Sequence, residues 1–325
     1  MDRKNILKIL LGTGISILFI FLALRKVNFP ELGEAFKTAN YFYLIPVCAL
    51  TFLAFYLRAF RWRYLLLPVK DLSPNYLFPP LMIGFMGNYL LPARAGEFIR
   101  AYVAGEKAKI PKSAAFATIV FERVLDGLTL LLIGLVVLFI HPFPGKFARM
   151  GITALAIYLA VLFLLLLLLY VPGFFEKLLV ILPEKAREKG KRLIQSFSSG
   201  LEVMRNPRLL FPSFLYSLAV WGITGFFLYV LFFAYDLKLP VHAAYLTTVV
   251  FTIGIMIPSS PGFIGTFHYF VWLGLAVFGV KKEVALSYAT LLHFSQFIVV
   301  VITGLVFLYT EGISFGKIKE IRDEG

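Results

Sequence analysis

The sequence predicts an all-α integral membrane protein with about six full transmembrane helices and two re-entrant, broken-helix segments arranged as inverted repeats. Three observations lead to this fold class. The 325 residues are 60% hydrophobic and 15% charged, with a mean hydropathy of +0.85, which is too apolar for a soluble core and its surface. Apolar runs of about 20 residues, long enough to cross a bilayer, recur along the chain. Two further apolar runs are interrupted by proline and glycine.

The uninterrupted apolar runs predict six membrane spans. The first run follows Arg3, Lys4 and Lys8, as a signal peptide would. Residues 22–25 contain no small-x-small cleavage site, however, so we interpret this run as a retained span. The six predicted spans are 6–24, 41–60, 114–140, 150–171, 210–234 and 284–310.

Two apolar runs contain helix breakers. Residues 76–92 include Pro79, Pro80 and Pro92, and residues 243–279 include the stretch GIMIPSSPGFIGTFHYF. Backbone groups freed inside a lipid-exposed helix find no water, so such breaks predict backbone that lines a cavity within the protein. An ordinary proline kink, or an external loop between two spans, is the alternative for the second run.

Basic residues set the predicted topology, because short cytoplasmic loops of membrane proteins carry an excess of Lys and Arg. Both flanks of the first broken run are basic, so the re-entrant segment 76–100 is expected to enter and return on the cytoplasmic side. The basic loop 173–209 is expected on the same side, and segment 243–279 is expected to enter from outside. Both termini are then cytoplasmic, in the inner (plasma) membrane. The chain divides into halves 1–140 and 141–325 of opposite orientation, an arrangement typical of transporters.

Composition argues against several other classes. The net charge of +14 is explained by basic loops beside a membrane, so no nucleic-acid partner is expected. Cys48 is the single cysteine, which excludes a disulfide framework and a thiolate metal site within this sequence. The sequence shows no metal-ligand cluster, no nucleophile beside a base and no nucleotide-binding loop. We therefore expect no cofactor, no metal and no enzymatic activity, and the sequence leaves a homo-oligomer open.

Charged residues within apolar runs mark the candidate binding site, since an ionised side chain at mid-bilayer costs about 2.5 to 3.5 kcal/mol on insertion scales. One cluster directly follows the first broken run and a second lies near the start of the span 114–140. With Arg58 and Arg61 of the preceding span included, five arginines face three acids, and an anionic ligand would balance the excess. The alternative is that Arg123 pairs with Glu97, while Arg94 and Arg100 reach lipid phosphates as anchors. The candidate residues of this half are Asn88, Arg94, Glu97, Arg100, Glu122, Arg123 and Asp126.

The second broken run and the last span supply the other candidate residues. Freed N–H groups and helix ends can face an anionic group, two serines add hydroxyls, and two glycines permit close approach of a headgroup. Two histidines allow proton coupling, although a hydrogen-bonded packing role is the alternative for each. These candidates are Ser259, Ser260, Gly262, Gly265, His268, Tyr269, His293 and Gln296.

Three motifs occur in order along the chain: GNYLLPARAGEFIR at 87–100, ERVLD at 122–126 and PSSPGFIG at 258–265. Together they resemble the lysylphosphatidylglycerol synthetase transmembrane, or flippase-like, family, and the resemblance covers nearly the whole chain. It implies a multi-pass module that moves an aminoacylated phospholipid between leaflets and that is fused, in the best understood members, to a cytosolic aminoacyl-transfer domain. No synthetase domain follows the membrane part in this sequence, so we expect a lone membrane module.

The function expected from these features is a lipid flippase that moves a phospholipid, polyprenyl-lipid or glycolipid headgroup through a cavity between the two halves. The arginines of the first half would hold phosphate, and its carboxylates would position them or meet an amino group. The expected partners are membrane lipids, either anionic or aminoacylated phospholipids or lipid-linked sugars. Two alternatives are a membrane-embedded transferase acting on a lipid carrier and a non-transporting membrane scaffold.

Overall fold

The computed structural model describes residues 3–91, 94–141, 145–181, 183–257 and 259–313. Within this part the chain forms thirteen α-helices and no β-strand, so the predicted all-α membrane protein is confirmed. The helices are α1 (Arg3–Leu24), α2 (Phe29–Thr38), α3 (Leu44–Leu66), α4 (Pro74–Leu90), α5 (Gly96–Ala108), α6 (Lys112–Ile140), α7 (Gly145–Tyr170), α8 (Pro172–Leu178), α9 (Glu184–Gly200), α10 (Pro207–Phe232), α11 (Val241–Gly254), α12 (Thr266–Ala276) and α13 (Lys282–Thr310).

Each of the six predicted spans coincides with a long helix, namely α1, α3, α6, α7, α10 or α13. Five of these helices are long and apolar enough to cross a membrane, and they cover residues 41–66, 112–140, 151–170, 207–235 and 282–310. The sixth, α1, has 22 residues, which at 1.5 Å per residue is about 33 Å. Length and apolar composition alone therefore located these helices.

The first broken run folds as a helical hairpin of α4 and α5. Ser73 caps α4 by accepting a hydrogen bond from the Tyr76 amide, and Pro74 occupies the first helical turn. Pro79 and Pro80 lie inside α4 and do not break it, contrary to the sequence prediction, because the loss of two amide donors is tolerated in a buried, packed helix. The chain turns after Leu90 instead. Pro92, the third predicted breaker, lies outside the described residues.

The two helices of this hairpin pack closely where glycines face each other. A β-carbon on Gly96 would lie 1.8 Å from the carbonyl oxygen of Gly84, so the backbones of α4 and α5 touch. At the other end of the hairpin, Lys70 Nζ donates to the carbonyl oxygen of Ala108 at 2.8 Å. The segment therefore returns to the end of the bundle where it began.

The second broken run folds in the same way, as a hairpin of α11 and α12. A β-carbon on Gly274 would lie 2.8 Å from Thr247 Cα, so these helices also pack closely. Residues 255–257 and 259–265 lie between the two helices, with one turn of 3₁₀ helix at 261–263. The His242 and Phe278 rings lie 5.6 Å apart between centroids at the base. Pro258 lies outside the described residues.

The bases of the two hairpins lie at opposite ends of α6, whose 29 residues span about 43 Å. At its start, Lys112 Nζ lies 3.7 Å from the ring centroid of Tyr102 in α5. Just after its end, the His141 ring lies 5.6 Å from the His242 ring in α11. The turns of the hairpins meet between these ends, which is the geometry that two oppositely entering segments require.

Helix packing on the two hairpins follows a matching pattern. Helix α3 packs on α4 as α10 packs on α11, and α13 packs on α4 as α6 packs on α11. Helices α3 and α10 also pack on each other. Two related halves, 1–140 and 141–325, predict these correspondences, and the division into inverted halves stays a prediction.

Residues 173–209 were predicted as a basic loop, but most of them are helical. Helix α9 lies against the start of α6, where Ser113 Oγ and Ser196 Oγ are 2.6 Å apart. Gly200 makes this approach possible, because a β-carbon there would lie 2.2 Å from the carbonyl oxygen of Ala114. An ion pair between Lys107 and Glu311 brings the end of α13 to the same end of the bundle. The described segments that were predicted to be cytoplasmic therefore lie together.

Candidate functional site

Two carboxylates on α6 organise a buried charge cluster. Glu122 and Asp126 are four residues apart, which places them on one face of the helix, and both are buried. Arg58 and Arg61 are three residues apart on α3 and face them. Because an isolated charge is costly at membrane depth, the pairing explains how these side chains are tolerated there.

Arg61 is the centre of this cluster and is fully buried. Its Nη1 donates to Asp126 Oδ1 at 2.6 Å and to Ser217 Oγ at 2.8 Å, and its Nη2 lies 3.2 Å from Glu122 Oε1. Trp221 Nε1 on α10 donates to the same Asp126 oxygen at 2.8 Å. Helices α3, α6 and α10 are thus joined by polar contacts as well as by apolar packing.

Arg100 and Glu122 form a buried ion pair. Two hydrogen bonds of 2.9 Å run from the Arg100 guanidinium to the two Glu122 oxygens, the bidentate arrangement that makes such pairs strong. The guanidinium carbon of Arg100 lies 3.7 Å from the ring centroid of Trp62. Both side chains of the pair are buried and neither lines the cavity described below.

Arg123 faces the other way and is partly accessible. Its Nη1 lies 3.2 Å from Asp126 Oδ2, and it also contacts the carboxylate of Glu122. Its Nε lies 3.9 Å from Glu97 Oε1, so the pairing of Arg123 with Glu97 that the sequence suggested is present at long range. Arg123 therefore connects the buried cluster to a more open carboxylate.

Arg94 lies in the turn of the first hairpin with its backbone in the left-handed region, at φ +54°. Phe263, in the turn of the second hairpin, has φ +57°, and the Arg94 guanidinium carbon lies 5.7 Å from its ring centroid. Residues other than glycine adopt such a backbone at a cost of about 1 to 3 kcal/mol, and these outliers concentrate at functional sites. One strained residue from each turn thus contributes to the point where the hairpins meet.

A cavity of about 340 Å³ opens at this point, between the hairpin turns and helices α3, α6, α7 and α10. Arg94, Glu97 and Arg123 all face it, as the cost of isolated charges in lipid predicted. Aromatic side chains form much of the remaining wall. Of the residues predicted for the site, Asn88, Arg94, Glu97, Arg123, Asp126 and Gln296 line this cavity.

The cluster around the cavity carries more positive than negative charge. Five arginines, at 58, 61, 94, 100 and 123, lie with three acids, at 97, 122 and 126, which gives a formal excess of 5 − 3 = +2. Thr51, Thr252 and Gln296 also line the cavity, although the threonine hydroxyls and the Gln296 amide nitrogen are themselves buried and have no hydrogen-bond partner in the described part of the chain. The cavity therefore lies in a positive field, which suits an anionic group.

The predicted residues around the second turn lie outside the cavity lining and contact neighbouring helices. The Ser260 amide donates to Ser16 Oγ at 2.8 Å, and a β-carbon on Gly265 would lie 2.7 Å from the Ser16 carbonyl oxygen. Gly262, at φ +69°, leaves room for the carbonyl oxygen of Tyr89, which lies 3.3 Å from the position of a β-carbon. Ser259 Oγ lies 3.2 Å from Thr266 Oγ1. Through these contacts α1 and α4 pack against the turn. None of the four predicted residues Ser259, Ser260, Gly262 and Gly265 lines the cavity.

The two candidate histidines and Tyr269 also lie outside the cavity lining. His293 stacks on Phe267 with ring centroids 4.9 Å apart, and the His268 ring meets it edge-on at 5.1 Å. Tyr269 packs on Phe19 of α1 at 5.3 Å. The sequence had left open a hydrogen-bonded packing role for the histidines; the structure shows aromatic packing, and His293 Nε2 has no hydrogen-bond partner in the described part of the chain.

Three residues that shape the cavity were not among the candidate site residues. Arg58 lines it and lies 5.1 Å from the Trp221 ring centroid, and Tyr89 forms part of its wall. The spacing of Arg58 and Arg61 within a predicted span was a usable signal, since both fall on one helical face. Trp221 carried no such signal. Among the described residues, no group of three or more His, Cys, Asp or Glu side chains is arranged to hold a metal.

Comparison with known proteins agrees with this architecture. The family described as the lysylphosphatidylglycerol synthase TM region matches residues 9–304. A UPF0104 membrane protein of Methanothermobacter thermautotrophicus is 29% identical over 129 residues, 39% of this chain and 37% of that protein. The UPF0104 membrane protein MJ1078 of Methanocaldococcus jannaschii is 24% identical over 231 residues, 68% of this chain and 92% of that protein.

A third relative carries a different name. Glycosyltransferase AglD of Haloferax volcanii is 28% identical over 124 residues, 38% of this chain and 20% of that protein. The matches to AglD and to the Methanothermobacter protein span well under two thirds of those relatives' length. No solved structure matches the chain. Because the family match covers residues 9–304 and so includes both hairpins, the chain belongs to the lysylphosphatidylglycerol synthase TM region family, a family of multi-pass membrane proteins.

Proposed function

We propose that this protein is a lipid translocase that moves the phosphate-bearing headgroup of a membrane lipid between leaflets through the cavity at the hairpin turns. One observation carries the proposal: a cluster of five arginines and three carboxylates has an excess of two positive charges, and its members Arg58, Arg94, Arg123, Glu97 and Asp126 line one cavity. A buried excess of charge in a membrane protein is costly, and an anionic ligand offsets that cost. The headgroup of a phospholipid, or of a lipid-linked sugar, has this chemistry.

The hairpins supply the means of access to both leaflets. Their bases lie at opposite ends of α6 and their turns meet at the cavity. In the proposal both hairpins are re-entrant and belong to inverted halves, which rock around the bound headgroup and open it to one leaflet at a time. The end of the bundle that holds α9, Lys107 and the end of α13 faces the cytoplasmic side of the inner membrane, because the basic segments lie at this end.

Translocation without covalent chemistry fits this cavity better than transfer to a lipid carrier. Asp126 and Glu97 are the two carboxylates that line the cavity, and both lie within ion-pair distance of arginines. Both carboxylates are thus engaged as counter-ions to arginine. The match to a glycosyltransferase keeps lipid-linked sugars among the candidate cargoes, and transfer of the sugar remains the competing function.

Purified protein in liposomes separates the three functions. The liposomes contain a fluorescent phospholipid or a fluorescent lipid-linked sugar, and a membrane-impermeant reductant destroys the label in the outer leaflet. For a translocase, inner-leaflet label becomes accessible faster than in protein-free liposomes and chromatography shows unaltered lipid. Covalently altered lipid would indicate a transferase. Label that stays protected, with every lipid class tested, would leave the scaffold function.

A further inference from the structure

A second cavity lies beside the charged one and differs from it in chemistry. This apolar groove has a volume of about 440 Å³ and lies between α6, α7 and α11. It is lined by residues within 128–138, 151–155 and 246–253, and every lining residue is Leu, Ile, Val or Gly. A groove of this composition has no hydrogen-bonding capacity beyond its backbone, so its occupant is hydrocarbon.

The apolar groove continues the charged cavity along the same three helices. On α6 the charged cavity is lined within 120–130 and the groove within 128–138. On α7 the corresponding residues are 157–161 and 151–155. Helix α11 and its turn contribute 251–256 to the cavity and 246–253 to the groove, so the two spaces adjoin end to end.

Tyr158 of α7 marks the junction between the two spaces. Its ring lies directly over Gly127 of α6, where a β-carbon would come within 1.9 Å of it. Its hydroxyl donates to Met256 Sδ at 3.3 Å. An amphipathic side chain that bridges α6, α7 and the turn after α11 is suited to a boundary between a polar and an apolar space.

The dimensions suit one hydrocarbon chain. Arg123, at the charged cavity, and Leu138, at the far end of the groove, are 15 residues apart on α6, which is about 22 Å. Half of a bilayer's hydrocarbon core is about 15 Å thick. The groove is also open to the surrounding lipid, since Leu135 and Ile152 on its two sides are exposed. A chain can therefore enter sideways from the membrane.

We infer that the apolar groove is a binding site for one hydrocarbon chain of the lipid whose phosphate occupies the charged cavity. The inference rests on the proposed function for the identity of the headgroup. The charged cavity alone selects a phosphate, and the groove adds a requirement that the phosphate be attached to a long apolar chain. Free phosphate and water-soluble phosphate esters then bind far more weakly than lipids, because they leave the groove empty.

Photo-crosslinking in nanodiscs tests this site. Two probes carry the same diazirine-labelled acyl chain: a phosphatidic acid and a diacylglycerol, which lacks the phosphate. Mass spectrometry then locates the labelled residues. We expect the phosphatidic acid to label the groove-lining stretches of α6, α7 and α11 several-fold more than the diacylglycerol does, and Arg94→Gln to remove that difference. Equal labelling by the two probes would mean annular lipid only and would overturn the inference.

A variant with a larger side chain in the groove provides a second test of the chain-binding site. Gly151 lines the groove, and no atom outside the helix backbone and the adjoining residues lies within 4 Å of a β-carbon built on it, so a leucine there has room at its β-carbon and Gly151→Leu should lower groove labelling several-fold. Gly14→Leu is the matched control, because Gly14 lies in equally open space on α1 and should behave as wild type. Groove labelling that Gly151→Leu leaves unchanged would also overturn the inference.

Measuring translocation on the same preparations distinguishes the proposed translocase function from the proposed chain-binding site. Specific groove labelling without lipid movement in liposomes would support the chain-binding site and reject the proposed function. Lipid movement without specific groove labelling would reject the chain-binding site and leave the proposed function standing. Size-exclusion profiles identical to wild type establish that each variant is folded.

Discussion

Arg94 Nη2 donates a hydrogen bond of 2.9 Å to the carbonyl oxygen of Ile255, and this contact joins the turn of the first hairpin to the turn of the second. The bonded carbonyl directly follows α11, where helix ends leave backbone oxygens without partners. A residue more than 160 positions away in sequence thus supplies the hydrogen-bond donor for a carbonyl oxygen at the end of α11. The same side chain lines the charged cavity, so it links the contact between the hairpins to the proposed ligand.

Arg94→Gln is expected to slow lipid translocation by about tenfold or more, because hydrogen bonds to a charged partner contribute about 1.5 to 3 kcal/mol. Glutamine retains a donor for the Ile255 carbonyl but cannot hold phosphate with a positive charge. The fluorescent-lipid assay measures the rate, and thermal unfolding in detergent measures stability. Arg94→Lys is the control, since it keeps the charge and should retain intermediate activity. A normal rate for Arg94→Gln would remove Arg94 from the proposed site.

Arg100→Met is expected to destabilise the fold by about 3 to 5 kcal/mol, because it leaves Glu122 buried without its bidentate partner. Glu122→Gln should cost at least as much, since Glu122 also pairs with Arg61. Thermal unfolding in detergent gives the comparison with wild type. If Arg100→Met were as stable as wild type but translocated lipid poorly, Arg100 would be a ligand contact, as first predicted from the sequence.

Gly96→Ala is expected to separate α4 from α5, because the added methyl would lie 1.8 Å from the Gly84 carbonyl oxygen. Overpacking of this kind costs about 1 to 3 kcal/mol or more, and here the obstacle is backbone that cannot rotate away. Lower thermal stability and a loss of monodisperse protein are the measurements. Gly14→Ala serves as the control, with open space around it. Wild-type stability for Gly96→Ala would contradict the close hairpin.

Cysteine labelling tests whether the hairpins enter the membrane from opposite sides. In a Cys48→Ala background, Lys70→Cys and Lys109→Cys should react with an impermeant thiol reagent from the same side, since Lys70 and residue 108 are in contact. Lys238→Cys, just before α11, should react from the opposite side. Labelling of Lys70→Cys and Lys109→Cys from different sides would show that the segment 76–100 crosses the bilayer and would reject the inverted-repeat arrangement.

Several features of this protein followed from the sequence because their causes are local. Hydropathy over about 20 residues located all six long helices, while the basic flanks of the first broken run and the breakers of the second indicated the two hairpins. The i, i+4 spacing of Glu122 and Asp126 placed them on one face of α6. The cost of charge in lipid correctly required Arg94, Glu97 and Arg123 to share a polar space.

Other features depended on contacts between distant segments, which local patterns do not encode. The prolines at 79 and 80 were misread as breakers because their tolerance depends on the packing around α4. From the sequence, Gly265 was expected to permit close approach of a headgroup. In the structure, α1 makes the close approach to Gly265. The sequence by itself determined where the helices lie and that their charges must be shared. Only the tertiary structure decided which charges pair off in the interior and which face the cavity, because each partner comes from a different helix.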